Sequence, residues 1–217
     1  MAKNICGYFP SLTMGNSLAY SSLIERDCLC VLEFKSAVTH IESQPFTIRY
    51  KDQTGKIRRY TPDILFVEND KQYLVECKPA SRVEAEHTQR QVQAVRAWCA
   101  ENDAVFLLVT DVALRSGVFL ENVELLTEYA RYDVNEADEL NIISVLLSAG
   151  HPLSVSDVMQ RLCPERPQSA ITPILHLAYH DKIQIPMLNE KITVDSLVFL
   201  PTWNNTLSLK EGQVTPV

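Results

Sequence analysis

The alternation of hydrophobic and polar positions is clearest between Pro62 and Lys78. Residues 63–67 and 72–77 are rich in β-forming side chains, and residues with turn chemistry separate them. Apolar side chains fall on both faces of the two segments, which is typical of a central and largely buried strand pair. The pattern therefore predicts an antiparallel hairpin with a two-residue loop at 69–70.

This loop fixes the register of the hairpin. It pairs Glu68 with Lys71, and counting back along both strands places Asp63 opposite Glu76, with Cβ atoms roughly 5 Å apart. Lys78 shares the face of Glu76, because successive side chains of a strand alternate. Buried carboxylates at that distance repel each other unless a cation lies between them. The cluster favours a Mg²⁺ site for phosphodiester hydrolysis, and an ordinary cross-strand ion pair is the alternative.

Helix and strand patterns surround the hairpin. A cap at Asn16 or Ser17 is expected to open the first helix. The order helix, three strands, helix, strand gives a mixed β-sheet flanked by helices. The predicted elements are a helix at 16–33, a strand at 44–50 whose alternation resumes near 57, the hairpin, a helix at 83–101 with Val92, Val95, Trp98 and Cys99 inward, and a strand at 104–110.

One carboxylate of the first helix, Glu25, lies on the apolar stripe of that helix together with Leu18 and Leu29. The spacing directs its side chain inward. Two other interpretations are open: Glu25 pairs with Arg26 or a basic strand residue, or the helix is rotated and exposes it.

Positive charge is concentrated immediately before the hairpin, although the whole chain has a formal net charge of -7. Such a patch can contact DNA phosphates, and a solvated loop is the alternative. Arg82, Arg90 and Arg96 either extend this surface or form the solvated face of their helix. The basic residues of the patch are Arg49, Lys51, Lys56, Arg58 and Arg59.

The second half of the chain has the pattern of a separate small domain that begins near residue 133. Three helices followed by two short strands suggest a winged helix. The predicted elements are a helix at 121–131 before the boundary, a helix at 137–148 with Leu140, Ile143, Leu146 and Leu147 inward, a helix at 154–162 opened by a Ser154–Asp157 capping box, a helix that begins at Thr172-Pro173, and strands at 182–186 and 194–200.

Charge argues against base recognition by this second domain. Residues 133–217 contain ten acids and five bases, and the third helix lacks the Arg and Asn side chains that read bases. We therefore expect it to bind protein. His176 and His180 have a spacing that zinc can use, but no third ligand is evident nearby.

Composition narrows the class of protein. The chain has 217 residues, of which 46% are hydrophobic, enough for one domain and a smaller one. Six cysteines without a CxxC pair fit a reducing cytoplasm and neither a disulfide framework nor a zinc site. The chain has no signal-peptide pattern and no apolar stretch near the roughly 20 residues of a membrane span.

Several motifs taken in order resemble a known family. The order of elements together with Glu25, Pro62-Asp63 and Glu76-Cys77-Lys78 resembles the restriction-endonuclease-like PD-(D/E)xK nuclease fold. From about residue 5 to residue 112 the chain is similar to the N-terminal domain of TnsA-type transposon endonucleases. The further motifs are Phe9-Pro10-Ser11-Leu12, Met14-Gly15, Ser22-Leu23-Ile24-Glu25-Arg26-Asp27, Leu32-Glu33-Phe34 and Gln44-Pro45-Phe46-Thr47-Ile48.

The resemblance implies roles for individual residues. Glu25, Asp63 and Glu76 would be metal ligands, and Lys78 the catalytic lysine. Gln44 matches a family position that supports the ligands. The expected cofactor is Mg²⁺, with two ions bound and Mn²⁺ as a substitute. Cys77 stands where a small apolar residue is more usual, but it points to the opposite face of its strand.

The resemblance also implies a biological role. Enzymes of this family cut the 5′ ends of a mobile element, while a DDE-type transposase partner cuts and joins the 3′ ends. Their C-terminal domain contacts an AAA+ ATPase regulator. We accordingly expect a nuclease domain at 1–132, a winged helix at 133–201 and a flexible tail at 202–217, in the bacterial cytoplasm. The alternatives are a free-standing restriction or repair nuclease and a non-catalytic winged-helix scaffold.

Overall fold

The computed structural model describes residues 5–51 and 55–201. The chain divides into two compact units between Ser116 and Gly117, where the glycine adopts a left-handed conformation with φ +74°. The sequence placed this boundary between 132 and 133. The difference arises because the helix at Phe119–Tyr129 packs inside the second unit. The predicted tail at 202–217 lies outside the described residues.

The first unit is built around a four-stranded mixed sheet. Its strands lie in the order β3 (Val38–Ser43), β6 (Ile64–Glu68), β7 (Lys71–Lys78) and β8 (Ala104–Thr110). The pairs β3–β6 and β6–β7 are antiparallel, and β7–β8 is parallel through a helical crossover. A mixed sheet flanked by helices agrees with the predicted restriction-endonuclease-like class. The elements are β1 Gly7–Pro10, β2 Ser17–Tyr20, α1 Leu23–Phe34, β3 Val38–Ser43, β4 Ile48–Lys51, β5 Ile57–Tyr60, β6 Ile64–Glu68, β7 Lys71–Lys78, α2 Glu86–Glu101, β8 Ala104–Thr110 and α3 Asp111–Leu114.

The predicted hairpin is confirmed as the centre of this sheet. Glu68 pairs with Lys71 in the predicted register. Asn69 and Asp70 form the loop with positive φ angles of 50° and 62°, which short polar side chains tolerate. Leu74 and its strand neighbours pack against α2, whose predicted apolar face is also confirmed.

The beginning of the chain differs from its prediction. Residues 17–20 form β2, which pairs with β1, so the first helix begins at Leu23 instead of residue 16. Its N-cap is Ser22, whose side chain accepts a hydrogen bond from the amide of Glu25 at 3.2 Å. The helical period across residues 16–22 was therefore coincidental.

The strand predicted at 44–50 is also divided differently. Sheet strand β3 precedes it at Val38–Ser43, and Gln44 turns the chain with φ 50°. Strands β4 and β5 then form a separate two-stranded hairpin, in which Ile48 pairs with Tyr60. Both residues are buried against α2, so this hairpin is anchored on the helix side of the central sheet.

The second unit is mainly helical. Two small strands pair antiparallel, and a single bridge joins Gln184 to Phe199. Asn122 is buried and bonds through its side chain to the backbone of Met187, Glu190 and Ile192. The elements are α4 Phe119–Tyr129, α5 Glu136–Ala149, β9 Leu153–Ser154, α6 Val155–Leu162, α7 Ile171–Tyr179 and β10 Leu197–Val198.

Three details of the second unit differ from the sequence analysis. Leu140 and Leu147 are 58% and 60% exposed, because α5 buries Ile142 together with Leu146, the one of these predicted positions that is confirmed as fully buried. Helix α7 follows a 3-10 turn, so its N-cap is Ala170 and not Thr172. The two predicted final strands are reduced to one bridge and β10, which pairs with β9. The Ser154 capping box is confirmed, with the amide of Asp157 donating to the Ser154 hydroxyl at 3.0 Å.

Two expectations about the whole chain can be compared with the structure. All six cysteines are free thiols, as expected for a chain without a disulfide framework. Among residues 5–51 and 55–201, no helix is long and apolar enough to cross a membrane.

Candidate active site

Asp63 lies at the open end of the β6–β7 hairpin, just before β6 begins. Its amide donates to the carbonyl of Val75 at 3.0 Å, and its own carbonyl accepts from the amide of Gln44 at 2.9 Å. The regular ladder stops at Ile64, so Asp63 does not continue it opposite Glu76 as predicted. The chain is held at this point by backbone bonds on both sides.

The side chain of Asp63 is nevertheless electrostatically coupled to the other predicted residues. Its Oδ2 accepts a hydrogen bond from the amide of Cys77 at 2.7 Å. Burial and the negative charge of Glu76 raise the pKa of Asp63 to about 7, with a further contribution from Glu25. The Cys77 amide and the charge of Lys78 act in the opposite direction but do not compensate. Asp63 is thus close enough to Glu76, Glu25 and Lys78 for each of their charges to act on it.

Glu76 lies two residues after Leu74 on the same face of β7 and is 4% exposed. One carboxylate oxygen pairs with the ammonium of Lys78. Burial alone would lower the pKa of Lys78, but the hydrogen bond and charge of Glu76 outweigh it and raise that pKa. The ion pair considered as the alternative is therefore present, and it lies beside Asp63.

The other oxygen of Glu76 accepts a hydrogen bond from the phenol of Tyr60. Burial and the negative charge of Glu76 raise the pKa of Tyr60 far above its usual value, so the hydroxyl remains a donor. Tyr60 is not among the residues predicted from the sequence, because its contact with Glu76 depends on how the β4–β5 hairpin packs on the sheet. The only local signal was its alternation with Arg58 on a strand that leads to Asp63.

Glu25 is buried at 5% exposure, as its position on the helical stripe predicted. Its two oxygens accept hydrogen bonds from the Ser21 amide and hydroxyl, both at 2.8 Å, and from the Ser22 hydroxyl at 2.9 Å. This arrangement resembles a capping box at the start of α1. The carboxylate is buried, which excludes the rotated and exposed helix, and Arg26 pairs with Asp27.

Gln44 and Cys77, which the sequence also singled out, lie next to Asp63 and Glu76. Gln44 contacts Asp63 through its backbone, while its side chain is exposed. Cys77 is buried on the opposite face of β7 from Glu76, where a hydrogen bond with Cys28 of α1 and burial raise its pKa. Its thiol therefore points to the opposite face of β7 from Glu76, as the sequence predicted.

The basic patch lies on and beside the β4–β5 hairpin. Arg49 pairs with Arg59 and Tyr50 with Arg58, so guanidinium groups occur on both faces. All five predicted basic residues are exposed. Tyr60, at the end of the same hairpin, joins this patch to Glu76.

The oxygen donors of Asp63, Glu76 and Glu25 suit a hard divalent cation, but their side chains are not arranged around a common metal position. Carboxylate oxygens are the preferred ligands of Mg²⁺, and the raised pKa of Asp63 marks negative potential that a cation would relieve. Within the part of the chain that the structure describes, no group of three His, Cys, Asp or Glu residues is arranged to hold a metal ion. Glu25 and Glu76 instead direct their oxygens to protein donors.

The histidine pair in the second unit has a different role. A ring nitrogen of His176 lies 3.0 Å from the carbonyl oxygen of Tyr129, and one of His180 lies 3.1 Å from that of Ala130. These carbonyls are at the C-terminal end of α4, where helical acceptors lack partners. The pair therefore caps a helix, which explains its spacing without zinc.

Comparison with known families agrees with the geometry. Residues 35–111 match the family described as TnsA-like endonuclease N terminal, which covers 77 of the 217 residues. The match contains Gln44, Asp63, Glu76 and Lys78. It begins at residue 35 and therefore does not include Glu25. No curated protein matches the chain. Residues 35–111, which make up most of the first unit, are therefore similar to a TnsA-like endonuclease N-terminal domain, which supports a transposon-associated nuclease.

Proposed function

We propose that this protein is the nuclease subunit of a heteromeric transposase. It cuts the 5′ ends of a mobile element with Mg²⁺, while a DDE-type partner cuts and joins the 3′ ends. The observation that carries the proposal is the shared environment of Asp63, Glu76 and Lys78 inside a TnsA-like endonuclease domain.

The proposed roles follow from the contacts of each side chain. Asp63, Glu76 and Glu25 would hold the metal, with two ions expected and Mn²⁺ able to replace them. A Mg²⁺ ion held by these carboxylates would supply Lewis-acid chemistry, polarising the scissile phosphate and lowering the pKa of a bound water. The ammonium of Lys78 stabilises the negative charge that develops on the phosphate. Gln44 holds the backbone of Asp63 in place. The phosphate contacts are assigned to Arg49, Lys51, Lys56, Arg58 and Arg59.

The test is strand-specific cleavage. The purified chain, the DDE-type transposase and DNA that carries transposon ends are combined with Mg²⁺ or with EDTA. We expect cuts at the 5′ ends only when both proteins and Mg²⁺ are present. Cleavage at a defined site by this chain alone would favour the free-standing nuclease. Cuts that are equal with Mg²⁺ and EDTA would contradict a metal-dependent site.

Tyr60→Phe is expected to reduce cleavage about 10- to 100-fold, the usual effect of losing a group that orients a metal ligand. The phenol donates to Glu76 and is 4% exposed, so phenylalanine fills the space but leaves one carboxylate oxygen without its donor. The measurement is the cleavage rate against Mg²⁺ concentration. The half-saturating Mg²⁺ concentration should change with the rate if Tyr60 acts through Glu76.

Tyr73→Phe is the matched control for this change. Tyr73 lies on the same strand as Glu76, and its ring stacks on Phe66 with centroids 4.6 Å apart. Removing its hydroxyl should leave both the rate and the Mg²⁺ dependence unchanged. Equal effects of the two variants would mean that Tyr60 has no special connection with the site.

We also assign binding of an AAA+ ATPase regulator to the second unit, which we propose to be a winged helix. After α4, the order α5, β9, α6, α7 and β10, with β9 paired to β10, supports that arrangement. The acidic balance of residues 133–217 favours a basic partner surface. Leu140 and Leu147 are exposed on one face of α5 at a spacing of seven, and they supply apolar contacts.

Replacing both Leu140 and Leu147 with glutamate in the full chain is expected to weaken regulator binding by at least about tenfold, because buried apolar anchors dominate protein interfaces. Calorimetric titration with the ATPase measures the effect. Val112→Glu is the control, because Val112 is 64% exposed in the first unit. Unchanged affinity in the double variant would remove this surface from the proposal.

A further inference from the structure

A groove extends from the basic hairpin to helix α2, which has had no role assigned so far. Two elements form its walls, the β4–β5 hairpin and the first half of α2. On α2 the contributing residues are spaced three and four apart, so they share one face of the helix. The groove is lined by Tyr50, Arg58, Arg59, His87, Arg90 and Gln91.

The groove concentrates positive charge in a chain whose net charge is -7. Three guanidinium groups line it from two separate elements. Glu86 lies 3.2 Å from Arg90 Nη1 and accepts from one of the five donors of that arginine. Clustered arginines of this kind match a phosphate group, whose oxygens accept paired N–H bonds.

The groove is connected to the charged cluster through one strand. Arg58 and Tyr60 are separated by one residue of β5 and therefore point to the same side, about 7 Å apart along the strand. Tyr60 bonds directly to Glu76. A DNA strand held at Arg58 would thus continue toward the carboxylates.

We propose that this groove binds the phosphate backbone of the DNA strand that is cut, with Arg90, His87 and Gln91 of α2 as its outer wall. The inference rests on the proposed nuclease function and adds a second element to the DNA-contacting surface. Glu86 lowers the affinity of the groove for phosphate, because it pairs with the guanidinium group of Arg90.

The experiment measures binding of the full chain to a fluorescein-labelled duplex of about 30 base pairs in EDTA, where no cutting occurs, by fluorescence anisotropy across about 50–200 mM salt. Arg90→Ala should weaken binding and lower the slope of log K against log salt by about 0.9, the value for one lost phosphate contact. Over that salt range, the ratio between the DNA affinities of the unaltered protein and of Arg90→Ala then changes about 3.5-fold.

Glu86→Gln should tighten binding by about twofold, the strength of an exposed helical ion pair. Partial unfolding of the variant would weaken DNA binding and could not tighten it. Tighter binding by Glu86→Gln therefore cannot result from a damaged fold. Arg96→Ala is the matched control, because Arg96 lies on the same helix about 180° around from His87 and does not line the groove. It should leave the salt slope unchanged.

The results separate this inference from the proposed function. If Arg90→Ala and Arg96→Ala behave alike, or if Glu86→Gln does not tighten binding, the groove assignment is overturned even if the protein cuts transposon ends. If the salt slopes change as expected but no cleavage occurs with the transposase and Mg²⁺, the groove is supported and the nuclease proposal fails.

Discussion

Replacing Lys78 with alanine is expected to reduce strand cleavage by about 10²- to 10³-fold, the usual effect of removing one preorganised donor to a developing anion. The ammonium is paired with Glu76 and acts on the charge of Asp63, and its raised pKa keeps it charged at neutral pH. The loss should appear in the rate of the chemical step, measured in single-turnover cleavage with saturating Mg²⁺ and transposase.

Two further variants make the Lys78 result interpretable. Lys78→Met keeps the aliphatic stem without the charge, and it should lose as much activity as the alanine variant. Lys71→Ala removes an exposed lysine at the opposite end of the same strand and should not change the rate. Full activity in both Lys78 variants would refute the role of the ammonium.

Asp63→Asn is expected to abolish Mg²⁺-dependent cleavage and, at the same time, to stabilise the metal-free protein at pH 8. Burial and neighbouring carboxylates raise the pKa of Asp63 from 3.8 to about 7. Between these values the unfolded chain has released the proton while the folded protein retains it. Stability therefore falls as the pH rises from about 4 to about 7, and the full penalty persists above that range.

Asparagine carries no charge, so it removes this penalty while its amide oxygen can still accept the Cys77 amide. We expect a gain of roughly 2 kcal/mol at pH 8, about half of the ceiling that the pKa shift allows. Urea unfolding in EDTA at pH 5 and pH 8 measures it. Asp70→Asn in the hairpin turn is the control and should show no such gain. An Asp63→Asn protein that is less stable at pH 8 would contradict the proposed carboxylate repulsion.

The parts of the fold that the sequence predicted correctly are those with local causes. The β6–β7 register follows from alternation and from a turn whose residues accept positive φ. Strand β8 was predicted with its observed bounds, because an apolar run of that length between polar ends has few alternatives. Helix α2 was predicted within a few residues because its inward positions repeat at helical spacing.

The errors and omissions have nonlocal causes. Residues 17–20 carry a helix-like pattern but become a strand because β1 is available as a partner. The contact from Tyr60 to Glu76 depends on the packing of a separate hairpin, which no local period records. The inward position of Glu25 was predicted, whereas its serine partners depend on where α1 begins.

The boundary between the units shows the same limitation. The polar stretch near residue 133 has the composition of a linker but connects two helices of one unit. The observed division is marked only by the short turn at Ser116-Gly117. Leu140 and Leu147 likewise fit a helical stripe, but the neighbours of α5 determine which stripe is buried.

The central claim is that Asp63, Glu76 and Glu25 hold a catalytic metal beside Lys78. The most direct measurement is anomalous diffraction from crystals of the full chain grown with Mn²⁺. We predict an anomalous peak about 2.0–2.2 Å from an oxygen of Asp63 and from an oxygen of at least one of Glu25 and Glu76. Finding Mn²⁺ at other residues, or none at these carboxylates under conditions in which the protein cuts DNA, would contradict the claim.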